Sequence, residues 1–153
     1  MKYVILEDIR SAYNVGAIFR TADGAGVAKV FLTGYTPEPI DRFGRQQPEI
    51  KKTSLGASET MPWEKVESLS EFIIQLKSEE VTVIAVEQVE GSVMLADFVE
   101  PEKVAYILGN EVDGVSKEAC ALADKIVELP MLGNKESLNV SVTAGIVMYH
   151  GIT

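Results

Sequence analysis

Groups that carry hydrolytic or redox chemistry are scarce. The 153 residues include one cysteine, Cys120, and one histidine, His150. A single thiol excludes an internal disulfide and a cysteine-based metal cluster, which fits a reducing compartment and sets the expectation of a cytoplasmic protein. One histidine leaves Ser-His-Asp and Cys-His catalysis a single possible base near the end of the chain, and a zinc site lacks ligands, so no metal is expected. His150 reads as a helix-end residue and Cys120 as a small core residue of "ACALA"; neither is assigned chemistry. The pattern G-x-G-x-x-G does not follow the first strand, and G-x-x-x-x-G-K-[ST] does not occur, so nicotinamide and ATP chemistry lose support. No apolar run approaches the roughly 20 residues of a membrane span. At the N-terminus "EDIR" cuts the apolar stretch too early for a signal-peptide core, and no membrane role is expected.

Positive charge is also in short supply. The formal net charge of −9 argues against indiscriminate nucleic-acid binding, which needs clustered Lys and Arg to neutralise phosphates. Its distribution is uneven. Residues 1–52 hold eight basic and six acidic side chains, the remainder six and seventeen, and all four arginines lie in the first third. Either a basic patch is built there, or this is a chance excess on a solvated acidic surface.

With 46% hydrophobic and 24% charged residues, the chain has the composition of one globular domain able to bury a single core. Its apolar patterning alternates in type. "KYVIL" (2–6) and "AKVFLTG" (28–34) read as strands around a helix starting near Asn14. A turn-rich stretch, "YTPEPIDRFGRQQP" (35–48), reads as a mobile substrate-facing loop or a plain surface loop. Then follow a helix at "EIKKTSLGAS", a strand at "MPWEKVE" and an amphipathic helix at "LSEFIIQLKS". "VTVIAVE" (81–87) and "KVAYILG" (103–109) read as buried parallel strands, "SKEACALAD" as a helix, "KIVELP" as a last strand and "SLNVSVTAGIVMYHGI" as a closing helix. The expected class is α/β, a mostly parallel six-stranded sheet with helices on both faces. Ligands of such sheets bind beyond the carboxyl ends of the strands. The loops there read "QVEGS", "GNEVDGVS" and "PMLGNKES", each with a glycine that lets backbone approach a ligand.

Three segments taken together resemble the SpoU (TrmH) family of the SPOUT superfamily, RNA ribose 2′-O-methyltransferases that use S-adenosylmethionine. They are "NVGAIFRTADGAGV" (14–27), "ILGNEVDGVS" (107–116) and "LPMLGNKESLNVSVTAG" (129–145), in the family's order and spacing. "KTSLGASETMPW" is similar to the segment that follows the first motif in small members. The resemblance implies a C-terminal trefoil knot, a homodimer, and a single catalytic domain spanning residues 1–153 without the N-terminal RNA-binding extension of larger members. Carried over by position, it implies cofactor contacts at Val86, Gly109, Leu129, Ser137 and Leu138, mostly through main-chain groups.

It also implies catalytic parts for Arg20, Asn14, Glu111 and Asn139. The arginine matching Arg20 is assigned in the family as general base or as stabiliser of the alkoxide. A guanidinium is a poor base at neutral pH, so electrostatic stabilisation of the developing oxyanion is favoured. Asn14 is a candidate for a bond to the acceptor ribose or to Glu111, or for a plain N-cap. Glu111 needs partners in its glycine-flanked loop, and Arg20 and Asn14 are candidates. Ser137 and Asn139 are candidates for capping the last helix, binding cofactor or receiving a substrate phosphate. Arg10, Arg42, Arg45, Lys51 and Lys52 are candidates for RNA backbone contacts. Transfer RNA is expected ahead of ribosomal RNA as substrate. The rival expectations are a noncatalytic or partner-dependent knotted RNA-binding protein, and a small-molecule methyltransferase on the same fold.

Overall fold

Strand β1, Lys2–Glu7, directs Val4 and Leu6 to one side of the sheet and Ile5 to the other, and all three are fully buried. Strand β6, Val104–Leu108, does the same with Tyr106 and Leu108 against Ala105 and Ile107. Side chains alternate along a strand, so a sheet covered on both faces needs apolar residues at every position. These two strands therefore lie side by side at its centre.

The computed structural model describes residues 1–152. The other strands are β2 (Lys29–Thr33), β3 (Trp63–Val66), β4 (Thr82–Val86), β5 (Val93–Met94) and β7 (Lys125–Glu128), and every pairing is parallel in the order β3-β2-β1-β6-β4-β7-β5. The sheet thus has seven strands rather than the expected six. The extra one is β5, whose two residues are too short to leave a periodic trace in the sequence.

The helices are α1 (Ala12–Gly24), α2 (Pro48–Ser54), α3 (Ala57–Thr60), α4 (Leu69–Ser78), α5 (Lys117–Leu122) and α6 (Val140–Tyr149). One core layer joins Val15, Ile18 and Phe19 of α1 and Ala144, Val147 and Met148 of α6 to the Val4/Leu6 face. The other joins Ile73 and Leu76 of α4 and Ala119 of α5 to the Ile5/Ile107 face. Each large aliphatic side chain buried this fully stabilises the fold by about 1.5–3 kcal/mol. Two boundaries depart from the sequence reading. Helix α1 begins at Ala12, with Ser11 as its N-cap accepting from the Asn14 N–H, so Asn14 sits within the first turn and is not the cap. The helix expected over "EIKKTSLGAS" is broken at Leu55 and Gly56, both with positive φ, into α2 and α3.

Helix α6 is fastened to the start of the chain. The buried Lys2 Nζ donates to the carbonyls of Met148 (2.7 Å) and His150 (2.8 Å) and pairs with Glu100 at 2.9 Å. A cation at the last carbonyls of a helix satisfies acceptors that have no intrahelical donor and complements the helix dipole. Tyr106 donates its hydroxyl to Glu100 at 2.6 Å. Burial and then this bond to Glu100 push the phenol well above its ordinary pKa.

Candidate active site beyond the carboxyl ends of the central strands

The loops after β4, β6 and β7 converge on one cleft of about 330 Å³, within the size range of small-molecule sites. These are the three strand-end loops singled out from their glycines. Val86, Gly109, Leu129, Ser137 and Leu138 all line the cleft, as does Glu111. The sequence reading passed over Glu87, Asn110, Glu128, Glu136 and Thr143, which line it too.

The wall after β6 is held by side chains that bond to backbone. Asn110 is buried; its Nδ2 donates to the Asp8 carbonyl and to the Tyr35 hydroxyl, both at 2.8 Å, while its Oδ1 accepts from the N–H groups of Val112 (2.8 Å) and Asp113 (2.9 Å). An Asn accepting from residues two and three further on folds a tight turn, the signal that "GNEVDG" carries in the sequence. Glu87 accepts from Val115 N at 2.9 Å and Glu7 from Ser116 N at 2.7 Å. Gly109 packs so closely that a Cβ there would lie 2.2 Å from the Gly114 carbonyl carbon.

Glu111 links this wall to α1. Its carboxylate accepts from the N–H groups of Arg10 and Ser11, each at 2.9 Å, and from Asn14 Nδ2 at 3.2 Å. Partial burial works to raise its pKa, but the N–H groups of Arg10 and Ser11 and the Asn14 amide outweigh that and hold it below the usual carboxylate value. Arg20 is not among its partners.

The wall after β7 is built differently. Residues 132–139 are all exposed, and among the described residues no hydrogen bond involves 130–138. Asn139 closes it as the N-cap of α6, its Oδ1 accepting from the Ser141 N–H at 2.8 Å and hydroxyl at 2.6 Å. It stands between Leu138 and Val140, which line the cleft, and is not itself a lining residue.

Arg20 is exposed on α1 and lines a separate groove with Tyr13, Lys52, Leu55 and Tyr149. Six residues of α-helix separate it from Asn14, about 9 Å along the axis. Arg10, Arg42, Arg45, Lys51 and Lys52 are all exposed. Lys52 shares the groove of Arg20, Arg42 and Arg45 occupy the loop before α2, and Arg10 gives its N–H to Glu111. Within the turn-rich stretch 35–48, Ile40 and Gln46 pair in an antiparallel bridge.

A parallel α/β sheet with a three-loop cleft at its carboxyl edge is the architecture of a small-molecule-binding domain. The chain belongs to the SpoU rRNA methylase family, whose profile matches residues 1–149. The 23S rRNA (guanosine-2'-O-)-methyltransferase RlmB of Neisseria meningitidis serogroup B is 34% identical over 145 residues, covering 95% of this chain and 55% of that relative. The AdoMet-bound rRNA methyltransferase from Sinorhizobium meliloti superposes with a TM-score of 0.85 at 28% identity, over 97% of this chain and 54% of that one. The A. aeolicus TrmH/SpoU tRNA modifying enzyme gives 0.85 at 26% identity, over 97% of this chain and 72% of that one. The chain thus spans little more than half the length of the curated relatives it matches.

Proposed function

We propose that the chain is the catalytic domain of an S-adenosylmethionine-dependent RNA ribose 2′-O-methyltransferase, with the cleft as its cofactor site. The observation that carries this reading is the convergence of Val86, Gly109, Leu129, Ser137 and Leu138 from three separate loops on one cleft. The residues fit the cofactor chemically. Exposed backbone after three strand ends suits a purine and a ribose, and the acidic lining from Glu87, Glu111, Asp113, Glu128 and Glu136 favours a cationic ligand over an anionic one. The cofactor supplies an electrophilic methyl group on a sulfonium. Glu111 is a positioning residue in this reading: it locks Asn14 and the start of α1 to the cleft wall. Asn139 fixes the start of α6 beside Leu138. The guanidinium of Arg20 stabilises charge developing on the ribose oxygen.

Arg20 lies outside the cleft of its own protomer, which favours a homodimer. Val142, Ile146 and Tyr149 form an exposed apolar stripe on α6 at helical spacing, while Ala144, Val147 and Met148 are buried on its inner side. A helix apolar on all sides belongs in an interior, and a second copy packed on this stripe and the Arg20 groove would bury it. The expected C-terminal trefoil knot is supported by the path of the chain. Strand β7 lies two strands beyond β6 from β1, yet α6 packs on α1 and is tied to Lys2, so residues 129–139 return past the loop after β6.

Ribosomal RNA is the favoured substrate, because the curated relatives at 30–34% identity are 23S rRNA guanosine methyltransferases. Transfer RNA, the substrate expected from the sequence, remains the second reading on the strength of the structural match to a tRNA modifying enzyme. The test is transfer of labelled methyl from S-adenosylmethionine to ribosomal and transfer RNA, followed by nucleoside analysis. The expected product is a 2′-O-methylnucleoside from rRNA; cofactor binding without incorporation into either RNA would favour the noncatalytic rival. Arg20→Lys separates charge from geometry: loss of turnover with intact RNA affinity assigns the role to the guanidinium shape.

A further inference from the structure

Between Arg42 and Arg45 stands Phe43, whose side chain is 67% exposed. A lone surface aromatic needs no explanation, but this one is mounted on an ordered loop. Besides the Ile40–Gln46 bridge, Gln47 N donates to the Pro39 carbonyl (2.9 Å), Asp41 N to the Arg45 carbonyl (3.0 Å) and Gly44 N to the Asp41 carbonyl (3.0 Å). The Asp41 carboxylate accepts from Phe43 N (2.8 Å), Arg45 N (3.0 Å) and Arg45 Nε (2.8 Å). Gly44, at φ +78°, supplies the left-handed residue that closes the turn. Both guanidinium groups lie against the ring, 4.8 Å from its centroid for Arg42 and 5.0 Å for Arg45.

Arg42 and Arg45 lie over the ring, and Arg45 is also paired with Asp41 at 2.8 Å. A base would therefore stack on this rigidly held aromatic by taking the place of a guanidinium, which then turns to a neighbouring phosphate. The ring's position in the basic third of an otherwise acidic chain favours a polyanionic partner. We propose that Phe43 stacks on an unpaired nucleobase of the RNA substrate while Arg42 and Arg45 neutralise neighbouring phosphates. The proposal rests on the reading of the chain as an RNA-modifying enzyme. It adds a selectivity that the cleft does not provide, for single-stranded over duplex RNA, because a base inside a duplex has no free face to offer.

Fluorescence anisotropy with a labelled single-stranded oligo(A) and with an RNA duplex of the same length tests it. Phe43→Ala should weaken oligo(A) binding about tenfold, within the range of base–aromatic stacking. The slope of log affinity against log salt should stay unchanged, because no charge is removed. Duplex binding should not move, Phe43→Trp should retain wild-type affinity, and Phe43→Leu should behave as Phe43→Ala. Arg42→Ala should instead reduce the salt slope by about one. Wild-type affinity in Phe43→Leu, or a loss in Phe43→Ala accompanied by a reduced slope, would overturn stacking. Binding of S-adenosylhomocysteine, measured by calorimetry in every variant, controls for folding, since residues 39–47 do not line the cleft. Methyl incorporation into rRNA keeps the two readings apart. A wild-type protein that needs Phe43 to hold oligo(A) but methylates no RNA would sink the methyltransferase reading alone. One that methylates rRNA while Phe43→Ala binds oligo(A) normally would sink the stacking proposal alone.

Discussion

The loop after β6 and the loop after β7 wall the same cleft, but Asn110, Glu111, Glu87 and Glu7 tie the first to backbone on four sides, while among the described residues the second carries no hydrogen bond over 130–138. A loop pinned in this way enters binding with its conformational entropy already spent. A loop without such bonds is ordered by its ligand, at the ligand's expense in affinity. The first wall is therefore expected to be in place before a ligand arrives, and the second to be ordered by it.

Glycine substitutions test this contrast most severely. At Gly109 a new Cβ would meet the backbone of Gly114 and Val115 at 2.2 and 2.3 Å, whereas at Gly133 it would meet nothing within 4 Å. Backbone cannot swing aside, so Gly109→Ala is expected to cost on the order of 1–3 kcal/mol of stability in urea unfolding. Gly133→Ala should stay within about 0.5 kcal/mol of wild type. Equal tolerance of the two would show that the first wall is as pliable as the second.

Glu111→Ala removes the acceptor from three donors and should lower stability by about 1–2 kcal/mol, with weaker S-adenosylhomocysteine binding by calorimetry. The same carboxylate gives a pH signature. Its folded pKa lies below the ordinary value of 4.5, so its contribution is complete above pH 4.5 and is lost as the pH falls through the lower folded value. Thermal melts between pH 3 and pH 6 should show a decline at the acid end that is shallower in Glu111→Ala. A parallel decline in both proteins would remove Glu111 from the account.

A smaller effect is expected in amide exchange. Adding S-adenosylhomocysteine should slow exchange across residues 130–138 and change little across 109–116; protection of both to the same extent would contradict a preformed wall. The smallest concerns Cys120 on α5, just after the tied loop. Burial first, then the charges of Glu87 and Glu7, raise its thiol pKa, so alkylation at neutral pH should be slower than for free cysteine. Glu87→Gln should speed it slightly, and an unchanged rate would show that the carboxylate does not reach the thiol.

The asymmetry of the walls was half legible in the sequence. Six of the seven strands announced themselves as apolar runs, and the glycines at their ends marked the three loops that wall the cleft. Which loop is bonded and which is bare depends on Asn110 meeting Asp8 and Tyr35, and on Glu111 meeting Arg10, contacts between residues about 100 positions apart in most cases. Pattern reading has no access to such pairs. The start of α1 was misplaced because Ser11 and Asn14 are both good caps, and only the backbone shows which one the first turn uses. Arg20 and Asn14 share a motif and a helix, but the roughly 1.7 turns between them set Arg20 on another face, in another groove. Phe43 has no distinguishing pattern among the prolines and charges of its segment, because only the turn shows how it is presented.

The clasp between Lys2 and the end of α6 has a consequence for synthesis. The residue that locks α6 is made about 100 to 150 residues before Glu100 and the carbonyls it serves. Until then a charged amine destined for the interior has no partner, and β1 lacks its central neighbour β6. Pairings this distant in sequence form slowly. The domain is therefore expected to complete its fold only once residues up to His150 have been made, rather than strand by strand during elongation.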